Sequence, residues 1–464
     1  MMGHLPAAQN SLIYNFCLEK HIPADHLLRR INDFLDFDVI RQHLQPFYSD
    51  IGRPSIDPEL MIRMLLVGYC YGIHSERQLC EEIDLNLAYR WFCRLGLEDD
   101  IPNHSSFSKN RLGRFREADL LRFVFDTVVK RCIEEDLVKG EGFAIDASLI
   151  RADVSRQRAE PGPVDWTPSQ TQSRAVREYL ELLDQEAEFT RPQKSVSLTD
   201  PNSQWSSAKG PAEFYYSTNY MVDVEKNIIM DVEASVSTLR SEVATTRTMI
   251  ERIEENYAIC PDRLMGDTAY GAAENLAYLV EEKKIAPHVP VWDKSKRKDG
   301  TFSNSEFQWD EDADKYICPG DKELRRSRYK PRAMSTGITK DNRIIYRAGR
   351  KDCKDCLFKS RCCPKSSHRK IARSIYEKSR DVARGICESD AYAKSSRERK
   401  KVEMLFAHMK RNLGFRRLRL RGIKSANDEF LLVATAQNLR RMAKLLAQPP
   451  PEHRIVTPAI EAMA

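Results

Sequence analysis

Between residues 57 and 138 the apolar positions recur at helical spacing. Asp57-Pro58 offers an N-cap followed by a proline at the first helical position, and Leu60, Met61, Met64, Leu65 and Tyr69 then line one side. Ser75 with Gln78 three residues on is a capping box and opens a second helix. A third is predicted over 86–95. Asn103 or Ser105 caps a short helix carrying Lys109, Arg111 and Arg114, and a longer one runs over 117–134. Residues 1–138 therefore read as all-helical. Short helices, tight turns and one basic member suit a helix-turn-helix module that meets DNA, with Lys109 and Arg114 as contacts; a plain helical bundle fits the same pattern.

At Gly142 the pattern changes. Residues 143–149 form an apolar run of strand length with Asp146 inside it. Residues 156–211 are loop-rich apart from an acidic helix near 173–189. Strands are predicted at 214–224 and 227–234 around a Glu225-Lys226 turn, then a helix at 238–256. A short strand at 263–265 leads into Gly266-Asp267-Thr268-Ala269-Tyr270-Gly271, followed by a helix at 272–283 and a strand at 286–291. This succession predicts an α/β domain on a mixed sheet. Residues 292–379 interrupt it with polar, basic, turn-rich sequence and hairpins at 315–324 and 342–347. Helices return at 390–413 and 426–446, and the tail from 448 is Pro-rich. In the first of these, Val402, Leu405, Phe406, Met409 and Leu413 make one apolar stripe. At about 100° per residue, Arg399, Glu403 and Lys410 form a row on its flank.

The chain has 464 residues, enough for two or three domains, and with 41% hydrophobic and 31% charged residues it has the make-up of a globular protein. The net charge of +6 is modest but unevenly spread. From Arg397 to Lys424 there are eleven Lys or Arg, Arg416 and Arg417 among them, against Glu398 and Glu403 alone. Such a cluster is an electrostatic footprint for phosphate backbones, although solvated basic faces look similar. No secretory signal is visible, and the most apolar stretch, 60–73, is too short to span a bilayer and contains Arg63. The expected location is cytoplasmic, with no membrane partner and with the twelve Cys reduced.

Three carboxylates draw attention. Asp146 in an apolar strand needs a cation, donors or a metal, unless its side chain reaches solvent from a strand edge. Asp267 ends a strand between two glycines, where ligands gather in α/β sheets and where an Asp also serves as a helix cap. Glu403 sits where a helix meets its core, which is also an ordinary place for a surface ion-pair row. Together they could hold two divalent cations, Mg²⁺ or Mn²⁺, which at about 3.5–4 Å apart promote phosphodiester displacement.

Asp146 in its strand, Gly-Asp-Thr-Ala-Tyr-Gly at 266–271 and Arg399-x3-Glu403-x6-Lys410 resemble the DDE transposases of bacterial insertion sequences. The likeness extends to a helical N-terminal region through Arg53-Pro54-Ser55 and Asn103-His104-Ser105-Ser106-Phe107, and spans about residues 40–446. It implies a ribonuclease H-like catalytic core in two parts, 139–291 and 380–447, around a basic Cys-rich insertion at 292–379. A DNA-binding domain (1–138) would precede it and a flexible tail (448–464) would follow. It implies cleavage and strand transfer at the inverted-repeat ends of the element, with double-stranded DNA as partner and a homodimer joining two ends. Asp146, Asp267 and Glu403 would carry the metals, while Arg399 and Lys410 would hold phosphates. The family pattern often has Tyr three residues before the Arg; here Ser396 stands there, so a hairpin route is not implied. A DNA-binding protein without chemistry and a nuclease that does not rejoin ends are the rival readings.

In the insertion, Cys318-Pro319-Gly320 and Cys353-x2-Cys356-x5-Cys362-Cys363 resemble two zinc-ribbon knuckles. Cys318, Cys353 and Cys356 would bind Zn²⁺ with Cys362 or Cys363 as the fourth ligand, replacing a hydrophobic core that this polar segment is expected to lack. Incidental thiols and an iron–sulfur cluster are the alternatives. Lys294, Lys296, Arg297, Lys298, Arg325, Arg326, Arg328, Lys330 and Arg332 add a basic surface suited to DNA.

Overall fold

The computed structural model describes residues 16–447 apart from 50, 52–54, 167–168, 170, 172, 186–193, 208–210, 237–238, 293–299, 327–336 and 340–341. Lys294, Lys296, Arg297, Lys298, Arg328, Lys330 and Arg332, and the tail from 448, lie outside the described residues. The chain divides into two compact units. One comprises the residues up to Leu137, Met409–Arg419 and the chain from Asp428 on; the other comprises Val138–His408 and Leu420–Asn427.

The first unit is helical. Helices Leu18–His21, Leu27–Phe34 and Phe37–Leu44 precede Pro58–Tyr71, which Asp57 caps by accepting from the Glu59 amide. Met61, Ile62, Met64, Leu65, Leu66 and Val67 are all buried there, so the helix is apolar nearly all round, as a core helix is. Arg63 does not interrupt this core but sits inside it. Its guanidinium lies 3.7 Å from the Phe37 ring centre and donates to Glu59, Asn32 and the Phe92 carbonyl. Gly72, at φ +75°, ends the helix in the left-handed region that glycine enters without strain.

Helices Glu76–Leu85 and Leu87–Phe92 follow, the second shorter than its pattern predicts because the chain leaves the helix at Cys93. The predicted basic helix is two pieces, Ser105–Leu112 and Arg114–Glu117, broken at Gly113; Leu120–Glu134 closes the region. Within this unit His74 donates from Nε2 to the Leu413 carbonyl (2.6 Å), and Arg440 donates to the Cys70 carbonyl.

The second unit is mixed α/β. Its strands are β1 (Gly142–Arg151), β2 (Ala159–Glu160), β3 (Val196–Ser197), β4 (Gln204–Ser206), β5 (Glu213–Asp223), β6 (Ile228–Val236), β7 (Arg263–Met265) and β8 (Ala286–His288). β9 (Gln308–Asp310), β10 (Lys315–Ile317), β11 (Glu323–Arg326), β12 (Arg343–Ala348) and β13 (Lys370–Ser374) follow. In the main sheet β6, β5 and β1 run antiparallel in that order, and β1, β7 and β8 run parallel. β4 extends the edge of β5, and β2 pairs with β3 alone. The near-continuous burial of β5 and β6 fits a sheet covered on both faces, with the helix Leu239–Tyr257 packed on β6.

Residues 292–379 depart from expectation. The hairpin around 315–324 is present as β10–β11, whereas 342–347 is one strand, β12, in a five-stranded antiparallel sheet ordered β13-β12-β11-β10-β9. This sheet has a hydrophobic core of its own. Phe302, Phe307, Tyr316, Leu324, Tyr346 and Ile371 are buried together, with Trp309 packed against them. The expectation that the segment lacks a core is therefore wrong; its aromatics are spaced singly among charges, as strand alternation places them. The helix Glu377–Cys387 was not expected either. Asp390–Arg411 and Ile423–Leu445 agree with the predicted helices to within a few residues at each end.

Candidate active site

Register alone brings two of the three carboxylates together. β1 and β7 are parallel neighbours with Ala144 opposite Met265, so Asp146 and Asp267 each lie two residues past a matched pair, toward the C-terminal ends of the strands. Parallel neighbours are spaced by roughly 4.8 Å. Two glycines make this geometry sterically available. A Cβ at Gly266 would stand 3.2 Å from the Tyr270 ring and 3.3 Å from Ile145 Cγ2, and one at Gly271 would stand 2.0 Å from the Pro290 carbonyl oxygen. Asp267 is exposed and accepts from the Ala269 amide at 2.8 Å, capping the turn Thr268–Tyr270. The capping role weighed for it is thus real, and it leaves the other carboxylate oxygen with no part in the cap.

Asp146 is mostly buried, with 18% of its side chain exposed, and accepts from the Ala147 amide at 2.8 Å. Burial pushes its carboxyl up to about 6; the Asp267 and Glu403 charges push the same way, and the Ala147 amide and the Arg399 guanidinium oppose them. That both other carboxylates act on Asp146 places all three within one electrostatic neighbourhood.

Glu403 comes from the helix Asp390–Arg411. Its apolar stripe is seated as the spacing requires: Val402, Leu405, Phe406, Met409 and Leu413 are all buried, and the Phe406 ring lies 5.3 Å from that of Tyr220 on β5. Upstream, Arg263 at the start of β7 donates to the Ser395 hydroxyl (2.8 Å) and pairs with Glu398 (3.0 Å), fastening this helix to the strand that carries Asp267. Arg399 then spans the gap: its Nη1 is 4.0 Å from Asp146 Oδ2 and its Nη2 is 3.4 Å from Glu403 Oε1. Glu403 itself is half-exposed.

Among the described residues no three His, Cys, Asp or Glu side chains are gathered closely enough to hold a metal ion. A guanidinium, rather than a third carboxylate, closes the gap between Asp146 and Glu403. The donor chemistry nonetheless suits a hard cation: three oxygen ligands, one of them with its charge disfavoured until a cation arrives.

The other singled-out residues are more scattered. Lys109 is exposed on the helix Ser105–Leu112, while Arg114 is half-buried with its guanidinium 4.4 Å from the Tyr48 ring centre. Arg111, on the same short helix, is buried and paired with Glu76 at 2.6 Å, so it holds the unit together. Arg416 and Arg417 are exposed; the former donates to the Lys410 carbonyl. Lys410 is half-buried and falls in the first unit. Cys318, Cys353, Cys356 and Cys362, with Cys363, line one cavity of about 20 Å³ beside Lys322, Asp352, Lys359 and Arg369. All five are free thiols, and the buried Cys362 is pushed up to about 12 by desolvation first and the Cys363 charge second. Cys70 and Cys93 are buried core thiols, both pushed up to about 12 by burial. Sequence reasoning passed over Arg263, Ser395 and Glu398; a cation opening a strand beside the helix row was their only signal.

Residues 16–112 match the family model of a transposase domain (DUF772), and residues 317–443 match that of a transposase DDE domain. No curated protein and no solved structure matches the chain. A DDE domain defines a polynucleotidyl-transferase-type enzyme. Both matches on one chain support a DDE-type transposase of the insertion-sequence kind. Of the three carboxylates, Glu403 lies inside the matched DDE segment; Asp146 and Asp267 lie outside both matches.

Proposed function

We propose that this transposase cuts DNA at the inverted-repeat ends of its own element and joins the released 3′ ends to target DNA, using divalent cations held by Asp146, Asp267 and Glu403. The observation that carries the reading is the Arg399 bridge. One guanidinium reaches both a strand carboxylate and a helix carboxylate far apart in sequence, and strand register sets Asp267 beside the first.

Two Mg²⁺ or Mn²⁺ ions bound there would activate an attacking water or 3′-hydroxyl and stabilise the leaving oxygen. The chain's own residues do the rest. Asp146 and Asp267 project from adjacent strand ends, so the sheet fixes their separation. Arg263 sets the height of the helix, and so of Glu403, through Ser395 and Glu398. Arg399 offsets the carboxylates' mutual repulsion, and a phosphate is its natural alternative partner, since a guanidinium matches phosphate and carboxylate forks equally well. Lys410, Arg416 and Arg417 supply further cations for the DNA backbone.

Three antiparallel strands followed by two parallel ones support a ribonuclease H-like core split by the Cys-rich insertion. The all-helical first unit, with Lys109 exposed, supports end binding through residues 1–138, and joining two ends calls for a homodimer. The five cysteines lining one cavity are the donors a structural Zn²⁺ would draw on, with Cys318, Cys353, Cys356 and Cys362 or Cys363 closing on it from a wider spacing. Metal analysis of the purified protein should then find about one zinc per chain, falling in the Cys353→Ser variant; a full-length protein free of zinc contradicts this part.

The catalytic reading is tested with duplexes carrying the element's ends. Asp146→Ala, Asp267→Ala and Glu403→Ala should each abolish Mn²⁺-dependent nicking while leaving end binding intact. Pre-cut ends should be joined to target by the parent protein, which a simple nuclease does not do. Full cleavage by Glu403→Ala overturns the assignment.

A further inference from the structure

The second sheet carries a feature that strand register alone makes visible. Lys315 on β10 lies directly opposite Arg325 on β11, Arg325 opposite Arg347 on β12, and Arg347 opposite Lys370 on β13. Four cations thus stand in one cross-strand row. Their chain neighbours Tyr316, Leu324, Tyr346 and Ile371 point the other way, into the aromatic core. At roughly 4.8 Å per strand the row covers about 14 Å, the axial rise of about four nucleotides along one strand of duplex DNA.

Like charges directly opposite in a sheet are destabilising by roughly 0.2–1 kcal/mol a pair, and here three such pairs follow one another. At one end Glu323 pairs with both Lys315 (2.7 Å) and Arg325 (2.7 Å), and Asp310 lies 3.9 Å from Lys315. The other end gathers further cations. After burial, what holds the His368 imidazole below its ordinary value is the charge of Lys370, Arg350, Arg347 and Lys359 around it. Arg325 is 78% exposed, and Lys370, Arg350, Lys351 and Lys354 are exposed as well. A polyanion lying across such a row would offset its charge.

We infer that the Lys315–Arg325–Arg347–Lys370 row is a binding surface for the phosphate backbone of double-stranded DNA. The inference rests on the DNA-transposing function proposed above and assigns part of its DNA grip to the Cys-rich insertion. The contact is to phosphates, so it holds any sequence equally and sets no base preference.

The test uses the full-length protein and duplexes with and without the element's end sequence, titrated over a range of salt without divalent metal. Combined Arg325→Gln, Arg347→Gln and Lys370→Gln should weaken both duplexes alike and lower the slope of log K against log salt by about 2–3, since each phosphate contact contributes about 0.9. Arg325→Gln alone, at a mostly exposed position, should lower the slope by about one and guards against misfolding of the triple variant. A slope and affinity equal to the parent's in both variants overturns the inference. Glu403→Gln is run in parallel. If it loses cleavage while the row variants bind like the parent, the row falls and the proposed function stands. If the row variants bind weakly while Glu403→Gln still cleaves, the row stands as a DNA surface and the proposed chemistry falls.

Discussion

Asp146 stands on a strand of apolar neighbours, where burial and two nearby carboxylates push its carboxyl up to about 6. In the unfolded chain the same group titrates near 3.9, so ionisation costs the fold. Stability falls as pH rises from about 4 to about 6 and stays lower above that. Asp146→Asn should therefore raise the melting temperature of the metal-free protein at pH 8, by an amount worth on the order of 1–3 kcal/mol, and leave it unchanged at pH 3.5, which is checked by thermal denaturation in chelator. The same titration governs metal capture. Only the ionised group binds, so Mn²⁺ affinity should decline by up to about tenfold per pH unit below 6 and level off above it. A second pair of residues separates fold from function on one short helix. Arg111 is buried against Glu76, so Arg111→Ala strands a carboxylate and should cost about 3–5 kcal/mol by denaturant unfolding. Exposed Lys109→Ala should leave unfolding unchanged and weaken DNA binding.

Among the elements, the helix Asp390–Arg411 is where sequence and structure agree best. Its apolar period was strong enough to fix which face is buried, and hence that Arg399 and Glu403 flank the core together. β1 and β7 were legible as strands from their apolar runs, but not as parallel neighbours. That pairing depends on long-range register, which no local pattern encodes. Arg263 was invisible for the same reason, because its partners Ser395 and Glu398 are distant in sequence. Arg63 and Arg111, one inside an apolar run and one on the basic helix, are both buried in the helical unit, Arg63 over the Phe37 ring with Glu59, Asn32 and the Phe92 carbonyl as acceptors and Arg111 paired with Glu76. The Cys-rich segment looked coreless because alternation scatters its aromatics among charges. If Arg263 sets the position of the helix, Arg263→Met should fold and bind DNA normally yet cleave about 10²-fold more slowly, the usual result of shifting a reacting group by an ångström. Single-turnover cleavage alongside a binding titration reads that split, and equal losses in both would show a merely structural role.

At the scale of the whole chain, the two matched segments bracket the mixed sheet. The helical match precedes it, and the DDE match takes in strands β11–β13 of the aromatic sheet, the cysteine cavity and Glu403. Among the described residues no helix is long and apolar enough to cross a membrane. The chemistry proposed for the molecule needs contributions from two strands and a later helix, so it tests the tertiary assembly of the second unit as a whole. The most direct measurement is electron paramagnetic resonance of Mn²⁺ bound to the full-length protein with end DNA, for the parent and for Asp146→Asn, Asp267→Asn and Glu403→Gln. The account predicts a coupled pair of Mn²⁺ ions in the parent and loss of that coupled signal in each of the three variants. A parent that binds only isolated Mn²⁺, or a coupled signal that survives all three substitutions, contradicts it.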